Sequence, residues 1–104
     1  MAQESKIEKS VCEYARENGY YVRKFSSPAH RGVPDQIFLS PHGVVIFIEF
    51  KAPRKLPTAL QLREHKLISM NCGFVHVVDS VEVGKFLVEK YLEKSINLNQ
   101  LAES

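Results

Sequence analysis

The run Val44 to Phe50, VVIFIEF, constrains this chain more than any other segment. Six of its seven residues are aliphatic or aromatic, and a strand that continuously apolar belongs in the middle of a sheet, covered on both faces. Glu49 is the exception, and Lys51 follows two residues later. Side chains alternate along a strand, so Glu49 and Lys51 project from one face and Phe50 from the other. Charged groups are almost never buried unless they are paired or bound to a metal, so a carboxylate ending such a strand calls for a partner.

The rest of the chain supplies neighbours for that strand. From Glu4 to Asn18 the apolar residues Ile7, Val11, Tyr14 and Ala15 recur at helical spacing, with Asn18-Gly19 as a stop. Glu8 borders the apolar stripe of this helix and reads either as an ordinary rim glutamate or as a carboxylate kept for a purpose. Tyr20 to Phe25 reads as a strand, SSPAHRGVP as a loop, and Gln36 to Leu39 as a second strand. Pro41-His42-Gly43 makes the turn into Val44 to Phe50. Thr58 and Gln61 have the spacing of a capping box opening a helix that ends near Asn71-Cys72-Gly73. Phe74 to Val78 is a further strand, and Asp79 with Glu82 predicts a second capping box before a last helix to about Glu93. The order is α-β-β-β-α-β-α in a single domain, with a core over about residues 5–92 and a tail over 93–104.

Composition narrows the class. A chain of 104 residues with 44% hydrophobic and 25% charged residues fits one globular domain. The longest uninterrupted aliphatic and aromatic run, Val44 to Ile48, is far short of the roughly 20 residues that span a bilayer, and the N-terminus lacks the apolar core of a secretory signal. A cytoplasmic protein without a membrane partner is expected. Cys12 and Cys72 have no spacing suited to zinc or to a disulfide framework and read as buried thiols. Residues 20–66 hold eight lysines and arginines against Asp35, Glu49 and Glu64, whereas both flanks carry an acidic excess. A basic middle that keeps two carboxylates could bind a polyanion and still hold a cation.

Topology then brings the unusual residues together. With a turn at residues 41–43, the start of one hairpin strand lies opposite the end of the next, which sets Asp35 beside Glu49 and Lys51. Carboxylates that close repel unless one is protonated or a cation lies between them, and oxygen ligands suit Mg²⁺ or Mn²⁺. Taken alone, Glu-x-Lys is a common tripeptide and reads first as a structural ion pair. The four histidines, His30, His42, His65 and His76, are scattered over loop, turn, helix and strand, which argues against a His-centred hydrolase.

The element order, the RGVPD segment ending at Asp35, the IEFKAP segment at Ile48 to Pro53 and Gln61 after Thr58 together resemble the VRR-NUC branch of the PD-(D/E)xK nuclease superfamily. The resemblance runs from about Ser5 to Leu92 and is closest to the stand-alone proteins carried by phages and prophages, which would place the chain in the cytoplasm of a bacterial host. It implies a restriction-endonuclease-like α/β (α+β) core, a central mixed sheet flanked by helices. It also implies that Asp35, Glu49 and the main-chain carbonyl of Phe50 hold a Mg²⁺ ion, for which Mn²⁺ substitutes. Glu8 would approach through water or bind a second ion, Lys51 would orient the attacking water, and Gln61 would position water or Lys51. Lys24, Arg31, Arg54 and Lys55 flank this centre as candidate phosphate contacts. No base-reading motif is present, so structure-selective cutting of branched DNA, as by a homodimeric Holliday-junction resolvase, is the expected activity. The polar and aliphatic tail SINLNQLAES hints at an element seeking a partner. A flap or fork nuclease of the same fold, or a non-catalytic nucleic-acid-binding module, stays open beside it.

Overall fold

The computed structural model describes the backbone of residues 2–71 and 73–103, and the side chains of residues 3–71 and 73–93. Its elements are α1 (Ala2–Glu17), β1 (Tyr21–Lys24), β2 (Gln36–Leu39), β3 (Val45–Phe50), α2 (Ala59–Met70), β4 (Phe74–Val78) and α3 (Val81–Glu103). This is the order expected from the sequence, an α+β fold around one four-stranded sheet in the spatial order β1-β2-β3-β4. β1, β2 and β3 form an antiparallel meander, and β4 lies parallel to β3. A parallel neighbour cannot be reached by a tight turn, so α2 is the crossover.

The register sorts the side chains into two faces. Val22 lies opposite Phe38, Phe38 opposite Ile46, and Phe50 opposite Val78. Together with Ile48, these residues build the core against Ile7, Val11 and Ala15 of α1 and Leu87, Val88 and Tyr91 of α3. Each large apolar side chain fully buried there contributes roughly 1.5–3 kcal/mol. α1 stops where Gly19 adopts φ +86° and donates its N–H to Arg16 O, a conformation costly for any residue with a Cβ. Cys12 is buried in this layer, where desolvation pushes its thiol up to about 11. Cys72 lies outside the described residues.

Three expectations are corrected. The opposite face of β3 is covered only toward its C-terminal end, because α2 packs near β4 and leaves Val45 40% exposed. The cap of the last helix is Ser80, whose Oγ accepts from Val83 N at 3.1 Å, while Asp79 Oδ2 takes the Arg54 N–H at 3.1 Å. Ser80 is the better placed because its hydroxyl sits three residues before an otherwise unpaired N–H of the first turn. Finally, the backbone of α3 continues to Glu103, ten residues past the expected end. The side chains of the SINLNQLAES tail lie outside the described residues.

The two helices of the core layer meet at a glycine. A Cβ at Gly84 would lie 2.3 Å from Val11 Cγ2 and 2.8 Å from its Cγ1. Helix propensity favours alanine over glycine by about 1 kcal/mol, but forcing extra carbon into a packed core costs roughly 1–3 kcal/mol. Gly84→Ala is therefore expected to lower stability in urea denaturation, and to become neutral or stabilising in a Val11→Ala background. A Gly84→Ala chain as stable as the parent would contradict this packing.

Candidate active site

The backbone on both sides of Asp35 fixes its position. β2 begins at the next residue with Gln36 opposite Ile48, which carries Asp35 to the level of Glu49. Phe25 N donates to Asp35 O at 2.8 Å and closes the loop of residues 26–34, and Pro34 within it is fully buried. Gly32 is required where the loop crosses α2: its φ is +87°, and a Cβ there would lie 2.8 Å from the Leu60 carbonyl oxygen. Held in this way, Asp35 Oδ2 accepts the Phe50 N–H at 2.8 Å.

Glu49 is 2% exposed, on the sheet face opposite Phe50. Lys51 lies on the same face, with Nζ 3.9 Å from Glu49 Oε2, as strand alternation requires. The same oxygen accepts from Gln61 Nε2 at 3.1 Å. Gln61 reaches it because it is also the third residue of α2 in a closed capping box. Its Oε1 takes the Thr58 N–H at 2.8 Å, and its own N–H donates to Thr58 Oγ1 at 3.2 Å. With the amide oxygen committed to the cap, the amide nitrogen is left facing Glu49.

The electrostatics are those of two carboxyls and one cation out of water. Burial pushes Glu49 up to about 8, helped by the Asp35 charge and opposed by Lys51. Asp35 is raised as well, chiefly by burial, with the Phe50 N–H opposing and the Glu8 and Glu4 charges adding to the rise. His65 is lowered by burial and by the Lys51 charge, with the Glu64 charge opposing. An ionised carboxylate moved out of water costs several kcal/mol unless fully compensated, and Glu49 is compensated on one oxygen only. Among the described residues, Glu49 Oε1 has no hydrogen-bond partner.

The fold thus unites Asp35, Glu49, Phe50, Lys51 and Gln61. Gln61 bonds directly to the Glu49 carboxylate, a contact its spacing did not foretell. Glu8 stands one step away, its Oε2 accepting from Gln36 Nε2 at 2.5 Å, while its charge is felt at Asp35. Lys24, Arg31, Arg54 and Lys55 are all exposed. Arg31 shares a hollow of about 440 Å³ with His30 of the same loop and Arg63 of α2. Arg54 leaves Lys51's end of the strand with φ +65°.

Two residues of this region escaped the sequence reading. His65 is not scattered: it is 8% exposed on α2, with Nε2 3.7 Å from Glu49 Oε1. The signal was its position four after Gln61, which puts both on one helix face. Glu4, one turn before Glu8 on α1, adds its charge to both Asp35 and Glu49.

Asp35 and Glu49 are the side chains able to share a hard cation. Among the described residues, no group of three or more His, Cys, Asp or Glu side chains is gathered tightly enough to hold a metal ion. An ion here would take main-chain oxygen and water for its remaining positions, the habit of Mg²⁺, which keeps several waters. Among the described residues no helix is long and apolar enough to cross a membrane.

No family model matches the sequence. A relative from Acyrthosiphon pisum secondary endosymbiont phage 1, named "Putative nuclease p44", is 40% identical over 87 residues, spanning 84% of this chain and 94% of its own. A solved structure, "VRR_NUC domain", matches with a TM-score of 0.78 at 33% identity, covering 86% of this chain and 97% of that one.

The raised carboxyl of Glu49 has a stability signature. Between its ordinary value of 4.5 and about 8, the folded chain holds a proton that the unfolded chain releases. Stability in EDTA should therefore fall as pH rises through that window. Glu49→Gln removes the titrating group and should flatten the profile, leaving the variant more stable than the parent above pH 8 in denaturant titrations. Parallel profiles for the two proteins would rule out a buried, strained carboxyl.

Proposed function

The chain belongs to the VRR-NUC family of nucleases, and from that premise we propose that it is a divalent-metal-dependent DNA endonuclease selective for branched structures, resolving four-way junctions as a homodimer. The observation that carries the metal is the buried Glu49 Oε1, without a hydrogen-bond partner among the described residues, beside a second carboxyl whose proton affinity is also raised. An all-oxygen donor set of that kind fits Mg²⁺ or Mn²⁺. Asp35 and Glu49 would hold the ion with the carbonyl of Phe50, the residue after Glu49, and Glu8 would approach through water or bind a second ion. When bound, the ion lowers the pKa of a water and withdraws charge from the phosphate.

The protein's own groups do the remaining work. Lys51 brings a positive charge to the mouth of the pair, where it stabilises charge developing on the phosphate oxygens. Gln61 holds the Glu49 carboxylate through the oxygen that Lys51 also faces, and the Phe50 N–H fixes Asp35, so neither carboxyl must reorganise during the reaction. Arg31, which shares a hollow with Arg63 and His30, and the exposed pair Arg54 and Lys55, which follow Lys51 in sequence, offer cations to the flanking phosphates. Contacts of that type read shape and charge without reading sequence, which favours a structural substrate. Support for a second copy comes from apolar side chains on the sheet face away from the core and on α2: Tyr21, Val45, Val77, Leu67 and Met70 are 37–70% exposed.

The test is cleavage of an end-labelled four-way DNA junction beside flap, linear duplex and single-stranded controls, with Mg²⁺, Mn²⁺ or EDTA. Symmetric metal-dependent nicks are expected. Cutting of flaps in their place would keep the metal centre and discard junction resolution, and binding without any cleavage would leave a nucleic-acid-binding module. Lys51→Ala should abolish cleavage while junction binding persists, and Asp35→Ala should also lose the rise in melting temperature that Mn²⁺ gives the parent. An Asp35→Ala chain that cuts normally would overturn the metal assignment. Arg31→Ala should weaken binding across all DNA structures and lower the slope of log Kd against log salt by about one phosphate contact. An unchanged slope would remove Arg31 from the interface.

A further inference from the structure

The crossover helix brings a second polar residue, beside Gln61, to the buried Glu49 carboxylate. His65 sits four residues after Gln61, so both face the Glu49 carboxylate from α2. Gln61 Nε2 donates to one oxygen at 3.1 Å; His65 Nε2 lies 3.7 Å from the other. That separation is too long for a hydrogen bond, and among the described residues both facing atoms, Glu49 Oε1 and His65 Nε2, are buried with no hydrogen-bond partner. Leaving a buried polar group unsatisfied is destabilising, so an aliphatic residue at position 65 would fold more cheaply. Two unsatisfied atoms pointing at each other across 3.7 Å need only a small side-chain rotation to satisfy both.

We propose that His65 is a positioning residue for the metal-binding carboxylate, its Nε2–H donating to Glu49 Oε1 so that Gln61 and His65 clamp both oxygens from one helix. The inference rests on the metal-dependent reading above. Each carboxylate oxygen has two lone pairs, so a donor on one leaves the other for a cation. The clamp fixes which lone pairs face the ion and raises the order of the site without adding a ligand, as groups behind metal ligands commonly do. Lys51, 3.9 Å from Oε2, is too mobile a point charge to orient the plane by itself.

The discriminating experiment compares the parent, His65→Leu and His65→Gln. Mn²⁺ binding is followed by the loss of the free-ion electron paramagnetic resonance signal, and cleavage of the DNA the parent cuts is followed against Mn²⁺ concentration. His65→Leu should fold with a melting temperature at or above the parent's and bind DNA in EDTA equally well. It should lose about 10- to 100-fold in Mn²⁺ affinity and in rate. His65→Gln, whose amide nitrogen reaches the place of Nε2, should stay close to the parent in both. Parent-like Mn²⁺ affinity and rate in His65→Leu would overturn the proposal, and so would equal losses in both variants, which mark a packing role. A parent chain that takes up no Mn²⁺ would overturn the metal reading itself, and the clamp with it.

Discussion

The burial of one carboxylate governs this structure. Glu49 ends a strand whose other face is the floor of the hydrophobic core, and it is 2% exposed. Removing such a group from water is tolerable only if the protonated form is favoured or compensating charge is held nearby. The chain uses both: the proton affinity of Glu49 is raised to about 8, and Lys51 and Gln61 are brought to one of its oxygens. The remaining oxygen has no hydrogen-bond partner among the described residues and is the least compensated point of the site.

The groups around Glu49 come from two kinds of structure. Asp35, Phe50 and Lys51 are supplied by the β2–β3 hairpin, where the register of a few residues sets their separation. Gln61 and His65 come from the crossover that the parallel β3–β4 pairing requires. Gly32 joins the two, because only a residue without a Cβ allows the Asp35 loop to lie against the first turn of α2. The acidic end is thus built by local contacts and the donor end by a longer connection, and the sheet edge is where they meet.

Much of this was legible in the sequence because it depends on short periods. The alternation Glu49-Phe50-Lys51 and the turn at 41–43 place Asp35 correctly, and the Thr58–Gln61 spacing marks the start of α2. What could not be read depends on packing between distant elements. His65 looks like any helical histidine until the crossover is docked, and Glu4 looks like any first-turn acid until α1 is laid against the sheet. Ser80 displaced Asp79 as cap because Asp79 found a backbone donor in Arg54, twenty-five residues away. The exposed side of Val45 reflects how little of the sheet one short helix can cover.

The double engagement of Gln61 has a consequence for how the surface communicates with the interior. Its amide is held at one end by the first turn of α2 and at the other by a buried acid, so the two are mechanically in series. Fraying of that helical turn, an event that costs little in most proteins, would here slacken the hold on the acid. The hydroxyl of exposed Thr58 thereby acts as a tensioner on a buried carboxylate at the far end of the side chain it caps. Selection for helix stability and selection for catalytic geometry would then fall on the same few atoms.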